Sequence, residues 1–469
     1  TSAFTRSIAS GVTPTPAATR RRPFASLQAL GLKPDSCYDS LFLSADSRNK
    51  ADWILGINAS YAMCKATGLG NNSLGRVQTP VLAAISRRYR ERENHISSDS
   101  WPIYISLQKD GILFKMRRTQ DLPDKESATM FFQDCKLSHQ AQITGISHSV
   151  KEIFPPDLLD LTQLQKEANI RYGYTASEVY DIAQSLYEKK LISYPRTSSR
   201  YLTEDVFDSL SPIMARLLSW ELFPAAKGTG GIDISSLSRH VISAEKANVH
   251  HAIIITGIRP GNLSEKEMQV YRLVAGRMLE TFMAPCRIET TNVEAVCGAQ
   301  HFKAEQTRII EAGWHDVFMR SDMIPTSGYS VKELPEVEKG DTLNVCGCNM
   351  VHKKQLPVNP FTDAELVEYM EQKGLGTVSS RTNIIRTLIN RKYIRYSGRY
   401  IIPTPKGMFT YETIRGKKIA DTLLTADWEK QLAGLESGMI TGQDFLNRIR
   451  TLAKEMTDDI FNTYSTKEE

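Results

Sequence analysis

Apolar residues recur at helical spacing from Ala45 to Ala66, stop at Leu74-Gly75-Arg76-Val77-Gln78-Thr79-Pro80, and resume with Val81, Leu82 and Ile85 on one face. Thr79 before Pro80 predicts a helix start. The threonine oxygen caps a free amide, and the proline sits in the first turn, where no amide hydrogen is needed. That helix would run to about Glu93 and carry Arg87, Arg88, Arg90 and Arg92 largely off its apolar face. From Trp101 to Ile153 the period changes to two, in runs such as Ile103-Tyr104-Ile105-Ser106-Leu107, which predicts strands. Further β-rich passages lie at residues 287–305 and 342–345. The roughly 130 residues between the first two passages are helical in pattern, as expected of a domain inserted into a β connector.

Inside that block, Thr175-Ala176-Ser177-Glu178 has the capping-box pattern, and Val179, Ile182, Ala183 and Leu186 follow at core spacing, so a helix should reach about Lys189. Lys190-Leu191-Ile192-Ser193-Tyr194 then takes strand character, and Pro195 removes a backbone donor. Tyr194 is therefore expected where the chain leaves the strand, presented to its surroundings. A second unit repeats the plan. Thr362-Asp363-Ala364-Glu365 caps one helix, Ser380 opens another bearing Ile384, Ile385, Leu388 and Ile389, and residues 393–402 form a hairpin with a Ser-Gly turn. Helix, turn, helix and basic hairpin is a winged-helix plan, and two such modules favour DNA.

Composition narrows the class. The 469 residues allow several domains, and with 41% apolar and 24% charged residues and no long apolar run, a membrane role has no support. Seven scattered cysteines show no zinc spacing and fit reduced thiols in a cytosolic chain. The net charge is only +5, but it is uneven. Arg48 to Arg92 holds eight Lys/Arg against two acids, and Lys373 to Lys418 eleven against one, so two basic zones sit in an otherwise acidic chain. Such zones neutralise phosphates and point to nucleic acid. Residues 11–23, with Arg20-Arg21-Arg22, have no periodicity and read as a linker. Gly228-Thr229-Gly230-Gly231 lacks the Lys-Ser/Thr of a P-loop and reads as a plain loop.

Four motifs then occur in order: Gly75-Arg76-Val77-Gln78-Thr79-Pro80; Ile192-Ser193-Tyr194-Pro195-Arg196-Thr197; His250-His251-Ala252-Ile253; and Gly374-Leu375-Gly376-Thr377 with Ser380-Arg381. Together with Thr425-Ala426-Asp427-Trp428-Glu429 they resemble the central and C-terminal parts of a type IA DNA topoisomerase of the bacterial topoisomerase III branch, over roughly residues 34–439. The resemblance implies a mixed α and β toroid with winged-helix (CAP-like) modules and a β-rich connector domain. The expected segments are 1–95, the start of a helical base; 96–157 and 286–340, the connector; 158–285, the inserted tyrosine-bearing domain; and 341–469, the rest of the base.

The resemblance also implies the chemistry. Tyr194 would attack a phosphodiester of single-stranded DNA and leave a 5′-phosphotyrosine, so the strand can be rejoined without ATP. Arg196 would hold the phosphate, and His250 would contact it or move a proton. Arg76, Gln78, Thr377 and Arg381, at helix starts, are the expected DNA contacts. A monomer at the bacterial nucleoid, in the cytoplasm, is implied as well. Ser198 and Ile255 stand where the family usually has aspartate and proline. The family's Mg2+ is held by an N-terminal Toprim domain with an Asp-x-Asp-x-Glu cluster, and no Asp-x-Asp occurs here. The start at Thr1 fits a fragment expected to be inactive alone. A DNA-binding remnant that cannot cleave is the alternative. A tyrosine recombinase fits poorly, because its nucleophile follows its arginine and histidine, whereas Tyr194 precedes His250.

Overall fold

The computed structural model describes residues 39–68, 70, 72–220, 222–223, 237–247, 250–319 and 324–465. The expected linker at residues 11–23 and the Gly228–Gly231 loop lie outside the described residues. The chain divides into two compact units, residues 1–80 with 413–469, and residues 81–412.

In chain order, helix α1 (Asp39–Thr67) is followed by α2 (Gln78–Glu93), strands β1 (Asp99–Ser100), β2 (Ile103–Lys109) and β3 (Ile112–Arg118), helix α3 (Lys125–Leu137) and strand β4 (Gln140–Ile153). The helical block holds α4 (Leu161–Tyr172), α5 (Ala176–Glu188), α6 (Glu204–Asp208), α7 (Leu210–Ser219) and α8 (Glu265–Phe282). Then come β5 (Cys286–Cys297), β6 (Gln300–Glu311), β7 (Thr342–Met350), β8 (Lys353–Lys354) and β9 (Phe361–Thr362). The remainder is α9 (Asp363–Gln372), α10 (Val378–Asn390), β10 (Ile394–Ser397), β11 (Tyr400–Pro403), α11 (Pro405–Ile414), α12 (Thr422–Glu436) and α13 (Gly442–Ser465).

In the first unit α1 packs along α13 through small and medium residues one turn apart. Ala51, Leu55, Ala59 and Met63 on α1 meet a core that includes Phe445, Ile449, Ala453 and Met456 of α13, with Trp428 of α12 buried beside them. In the second unit β2, β3, β6, β5, β4 and β7 close a six-stranded antiparallel barrel. Alternate residues Ile103, Ile105 and Leu107 point into it, as the period of two requires. The barrel extends past residue 340, because β7 pairs with both β2 and β4 and joins the two edges of the connector strands. Helix α3 was not expected within the β-rich passage. Asp124 caps it by accepting from the Ser127 amide, and Ala128 and Cys135 bury its inner face.

The helical block leaves the barrel after Ile153 and returns at Cys286, and these two residues are directly paired. Both ends of the insertion are thus held at one point of the β4–β5 ribbon. The buried Trp314 ring fastens that point by donating its Nε1 hydrogen to the Ile153 carbonyl at 2.8 Å. Within the block, α4 and α5 form a helix pair that shares its turn chemistry with α9 and α10. Gly173 and Gly374 end the first helix of each pair with positive φ, and Thr175 and Thr377 cap the second. Lys190 and Lys392 follow the second helix with φ of 59° and 61°, where the Leu191 and Tyr393 amides turn back to the Leu186 and Leu388 carbonyls. The α10 helix begins at Val378, not at Ser380, because Thr377 is the cap and the Ser380 hydroxyl accepts from the Thr377 amide as its capping-box partner. Likewise α2 begins at Gln78, since the Thr79 amide already donates to the Gly75 carbonyl. The Thr79 hydroxyl accepts from the Gly75 amide, and Pro80 still falls in the first turn.

The two helix pairs pack on each other through polar groups. Gln165 donates to Thr382, Lys166 pairs with Glu368 at 2.9 Å, and Arg386 pairs with Asp181. At the centre Asp363, 2% exposed, accepts from the Ala176 amide at 3.2 Å and from the Tyr396 hydroxyl at 3.1 Å. Burial raises its carboxyl to about 6, although the two donors oppose the shift and nearby Glu178 adds to it. The native state therefore takes up a proton near pH 6 that the unfolded chain takes up only near pH 4. This group's contribution becomes more favourable as pH falls through that window and is least favourable above pH 7. Asp363→Asn keeps an acceptor for both donors and should stabilise the chain by about 2 kcal/mol at pH 8. Urea denaturation between pH 4 and 8 should show the difference from the unaltered chain vanish near pH 4; equal stabilisation at every pH would refute the assignment.

Candidate active site

Tyr194 is positioned by a clip between two segments far apart in sequence. After α5 the chain makes its left-handed turn at Lys190 and runs alongside residues 252–256. Ile192 bridges Ile255, the Ser193 amide donates to the Ile254 carbonyl at 2.8 Å, and the Thr256 amide donates to the Leu191 carbonyl at 3.1 Å. The Ser193 hydroxyl donates to the Ala252 carbonyl and accepts from the Ile254 amide. Thr197 closes the far end by donating its hydroxyl to the His250 carbonyl at 3.1 Å. The strand expected for residues 190–194 is thus reduced to a single bridge, because Pro195 ends the pairing and the partner segment bends away.

The clip brings Tyr194 and His250 together. Their ring centroids lie 4.6 Å apart at 46°, and the Tyr187 ring meets Tyr194 edge-on at 5.4 Å and 78°. His250 is exposed, whereas Tyr194 and Arg196 are half-buried. Arg196 lies over the Tyr180 ring, with Cζ 5.1 Å from its centroid, and its Nη2 donates to Gln184 Oε1 at 3.3 Å. Its Nε is buried and has no partner. A phenol and an imidazole are thus in contact, and the guanidinium two residues on is held against α5. Among the described residues, no group of three or more His, Cys, Asp and Glu side chains could hold a metal ion.

The expected DNA contacts are placed differently. Arg76 is 6% exposed and lies over the Trp428 ring at 5.0 Å, and it donates to Asp52 at 2.8 Å and Glu429 at 3.0 Å. Its charge is spent within the helical unit. Arg381, 7% exposed, donates to Thr162 at 3.1 Å and Glu371 at 3.2 Å. Gln78 donates to the Ser73 carbonyl at 3.4 Å, and Thr377 is occupied as a cap. The clustered arginines of α2 are engaged as well. Arg88 stacks on Phe361 at 4.0 Å, Arg90 pairs with Glu412, and Arg92 donates to Asn359 at 3.0 Å. Tyr180, Gln184 and Tyr187 were missed by sequence reasoning. Their spacing along one face of α5 was the available signal.

Arg76→Ala would leave Asp52 and Glu429 facing each other across a cavity beside Trp428. Both acids are about two-fifths exposed, so screening holds the expected loss to about 1–3 kcal/mol, below that of a fully buried pair. Chemical denaturation should show that loss, and adding Asp52→Ala should return part of it. A stability unchanged by Arg76→Ala would mean that the ion pairs contribute nothing.

The chain matches the family model for DNA topoisomerase over residues 36–447. It is 31% identical to DNA topoisomerase 3 of Bacillus licheniformis over 454 aligned residues and 31% identical to that of Bacillus subtilis over 461. Each alignment covers 92% of this chain and 62% of the relative. DNA topoisomerase 3 of Staphylococcus saprophyticus is 30% identical, over 90% of this chain and 61% of the relative. The chain thus spans about 62% of the length of the first relatives it matches. The solved structure of full-length topoisomerase I from Thermotoga maritima shares the fold, with a TM-score of 0.68 and 23% identity over 89% of this chain and 68% of that one. No helix among the described residues is long and apolar enough to cross a membrane. With the family model matching residues 36–447 and relatives 31% identical over 92% of the sequence, the chain belongs to the DNA topoisomerase family, on its type IA, topoisomerase III-like branch.

Proposed function

We propose that this chain carries the tyrosine half of a topoisomerase active site and acts on single-stranded DNA. The observation that supports this most is the juxtaposition of the Tyr194 and His250 rings by the 191–197 clip, with Arg196 two residues beyond the tyrosine. In this reading the Tyr194 Oη forms a bond to phosphorus and the bond to the 3′ oxygen breaks. The products are a 5′-phosphotyrosine and a free 3′-hydroxyl. The phenol gives up its proton, and the departing oxygen gains one. In this reading His250, its ring tilted beside the phenol, carries a proton, and Arg196 holds the phosphate as charge builds on its oxygens. The energy of the phosphodiester is kept in the new ester, so reversal needs no ATP. Strand passage between cleavage and rejoining would relax or decatenate DNA. Magnesium is the ion that the resemblance implies for a whole enzyme, and no step here is routed through it. The β10–β11 hairpin that follows α9 and α10 supports a winged-helix DNA-binding framework in that part of the chain.

The uncompensated Arg196 charge also supports a second reading, in which the chain binds single strands without cutting them. Labelled single-stranded DNA incubated with the chain and magnesium, then denatured with detergent, separates the two. Cleavage predicts a covalent adduct joined through the 5′-phosphate of the break that disappears in Tyr194→Phe. Binding alone predicts no adduct but a gel shift that weakens in Arg196→Ala. An adduct that survives Tyr194→Phe, or one linked through a 3′-phosphate, would sink the assignment of Tyr194.

A further inference from the structure

Several arginines among the described residues are neutralised by carboxylates. Arg76 meets Asp52 and Glu429, Arg381 meets Glu371, Arg200 meets Asp160, and Arg277 meets Glu167 and Glu280. Each of these has its charge balanced by carboxylate. Arg196 is seated differently. One face lies over the Tyr180 ring at 5.1 Å, and Nη2 donates to the Gln184 amide oxygen at 3.3 Å. Both contacts are electrically neutral. The Gln184 amide is itself oriented, because its Nε2 donates to Glu188 Oε1 at 2.8 Å, which leaves Oε1 for the arginine. The acid of this group therefore stands one amide away from the guanidinium, and Arg196 Nε is buried without a partner.

We propose that Tyr180 and Gln184 form a neutral seat that fixes Arg196 in place without quenching its charge, so that the guanidinium stays available to a phosphate of a single strand. They are positioning residues for Arg196. The inference rests on the reading of the site as a binder of single-stranded DNA and adds the means by which its cation is kept active. A carboxylate at either position would hold the arginine as firmly but would compete with the phosphate for the same hydrogens. The ring supplies attraction through its face, independent of its hydroxyl. On α5, Tyr180, Gln184 and Tyr187 lie along one face, so a single helix orients both Arg196 and, through Tyr187, the ring of Tyr194.

The test is binding of a fluorescein-labelled oligothymidylate, followed by anisotropy over a range of salt. Arg196→Ala should weaken binding several-fold and reduce the slope of log affinity against log salt by about 1. Gln184→Glu, nearly isosteric, should cause a comparable loss by pairing with Arg196, and should cause little further loss when added to Arg196→Ala. Tyr180→Leu should lose several-fold affinity, and Tyr180→Phe should retain it. A Gln184→Glu variant that binds like the unaltered chain, or that weakens binding equally in the Arg196→Ala background, overturns the seat. So does a Tyr180→Phe loss as large as that of Tyr180→Leu. Failure of the unaltered chain to bind the oligonucleotide at all would overturn the functional reading together with the seat.

Discussion

The site depends on one non-local pairing, the clip between residues 191–197 and 250–256. Its strength lies in how few groups do several tasks. The Ser193 hydroxyl is donor to one carbonyl and acceptor from one amide of the opposite segment, so one small side chain closes the pairing where Pro195 ends it. The Thr197 hydroxyl then ties down the His250 carbonyl. Between these two fixed points Tyr194 has little backbone freedom left, and the histidine beside it is held by main-chain contacts, which leaves its ring exposed. A pair built this way keeps its geometry while the histidine ring stays exposed.

The clip in turn is held by the fold around it. The block that carries it has both ends at one paired position, Ile153 opposite Cys286, and its apolar core runs on into Ile288, Trp314 and Val317. Its other contact within the same unit, the packing of α4 and α5 on α9 and α10, consists largely of hydrogen bonds and ion pairs. Apolar cores of comparable size are costly to separate because water must cover them. A polar surface can exchange its partners for water at much lower cost. Asp363 strengthens that contrast, since at neutral pH its buried carboxylate opposes the contact it sits in.

Much of this was legible in the sequence where local chemistry sets the structure. The capping boxes at Thr175 and Thr362, the hairpin ending near Tyr400 and the strand alternation at Ile103–Leu107 are decided by neighbours a few residues away. Helix α3 escaped because the passage around it was read at strand period, although Asp124 was a ready cap. The pairing that places His250 next to Tyr194 joins segments separated by α6 and α7, and only the motif resemblance marked that histidine. The arginines show the limit most clearly. Arg76 and Arg381 stand at helix starts, as phosphate-binding residues do, but Glu429 lies 353 residues beyond Arg76 and no local pattern reveals such a partner.

Charge counting alone would therefore mislead about which cations of this chain are free. The two basic zones exist in the sequence, yet many of their cations are committed to carboxylates or aromatic rings, and what remains for a phosphate is set by the kind of partner each cation has. Arginine is suited to both uses, because the same planar fork that locks onto a carboxylate also grips a phosphate. Which one it does depends on whether the fold supplies an acid. Around Arg196 the fold supplies a ring and an amide instead, and turns the nearest acid, Glu188, toward the amide nitrogen. What sets Arg196 apart from Arg76 and Arg381 is thus the absence of a carboxylate among its contacts with the described residues.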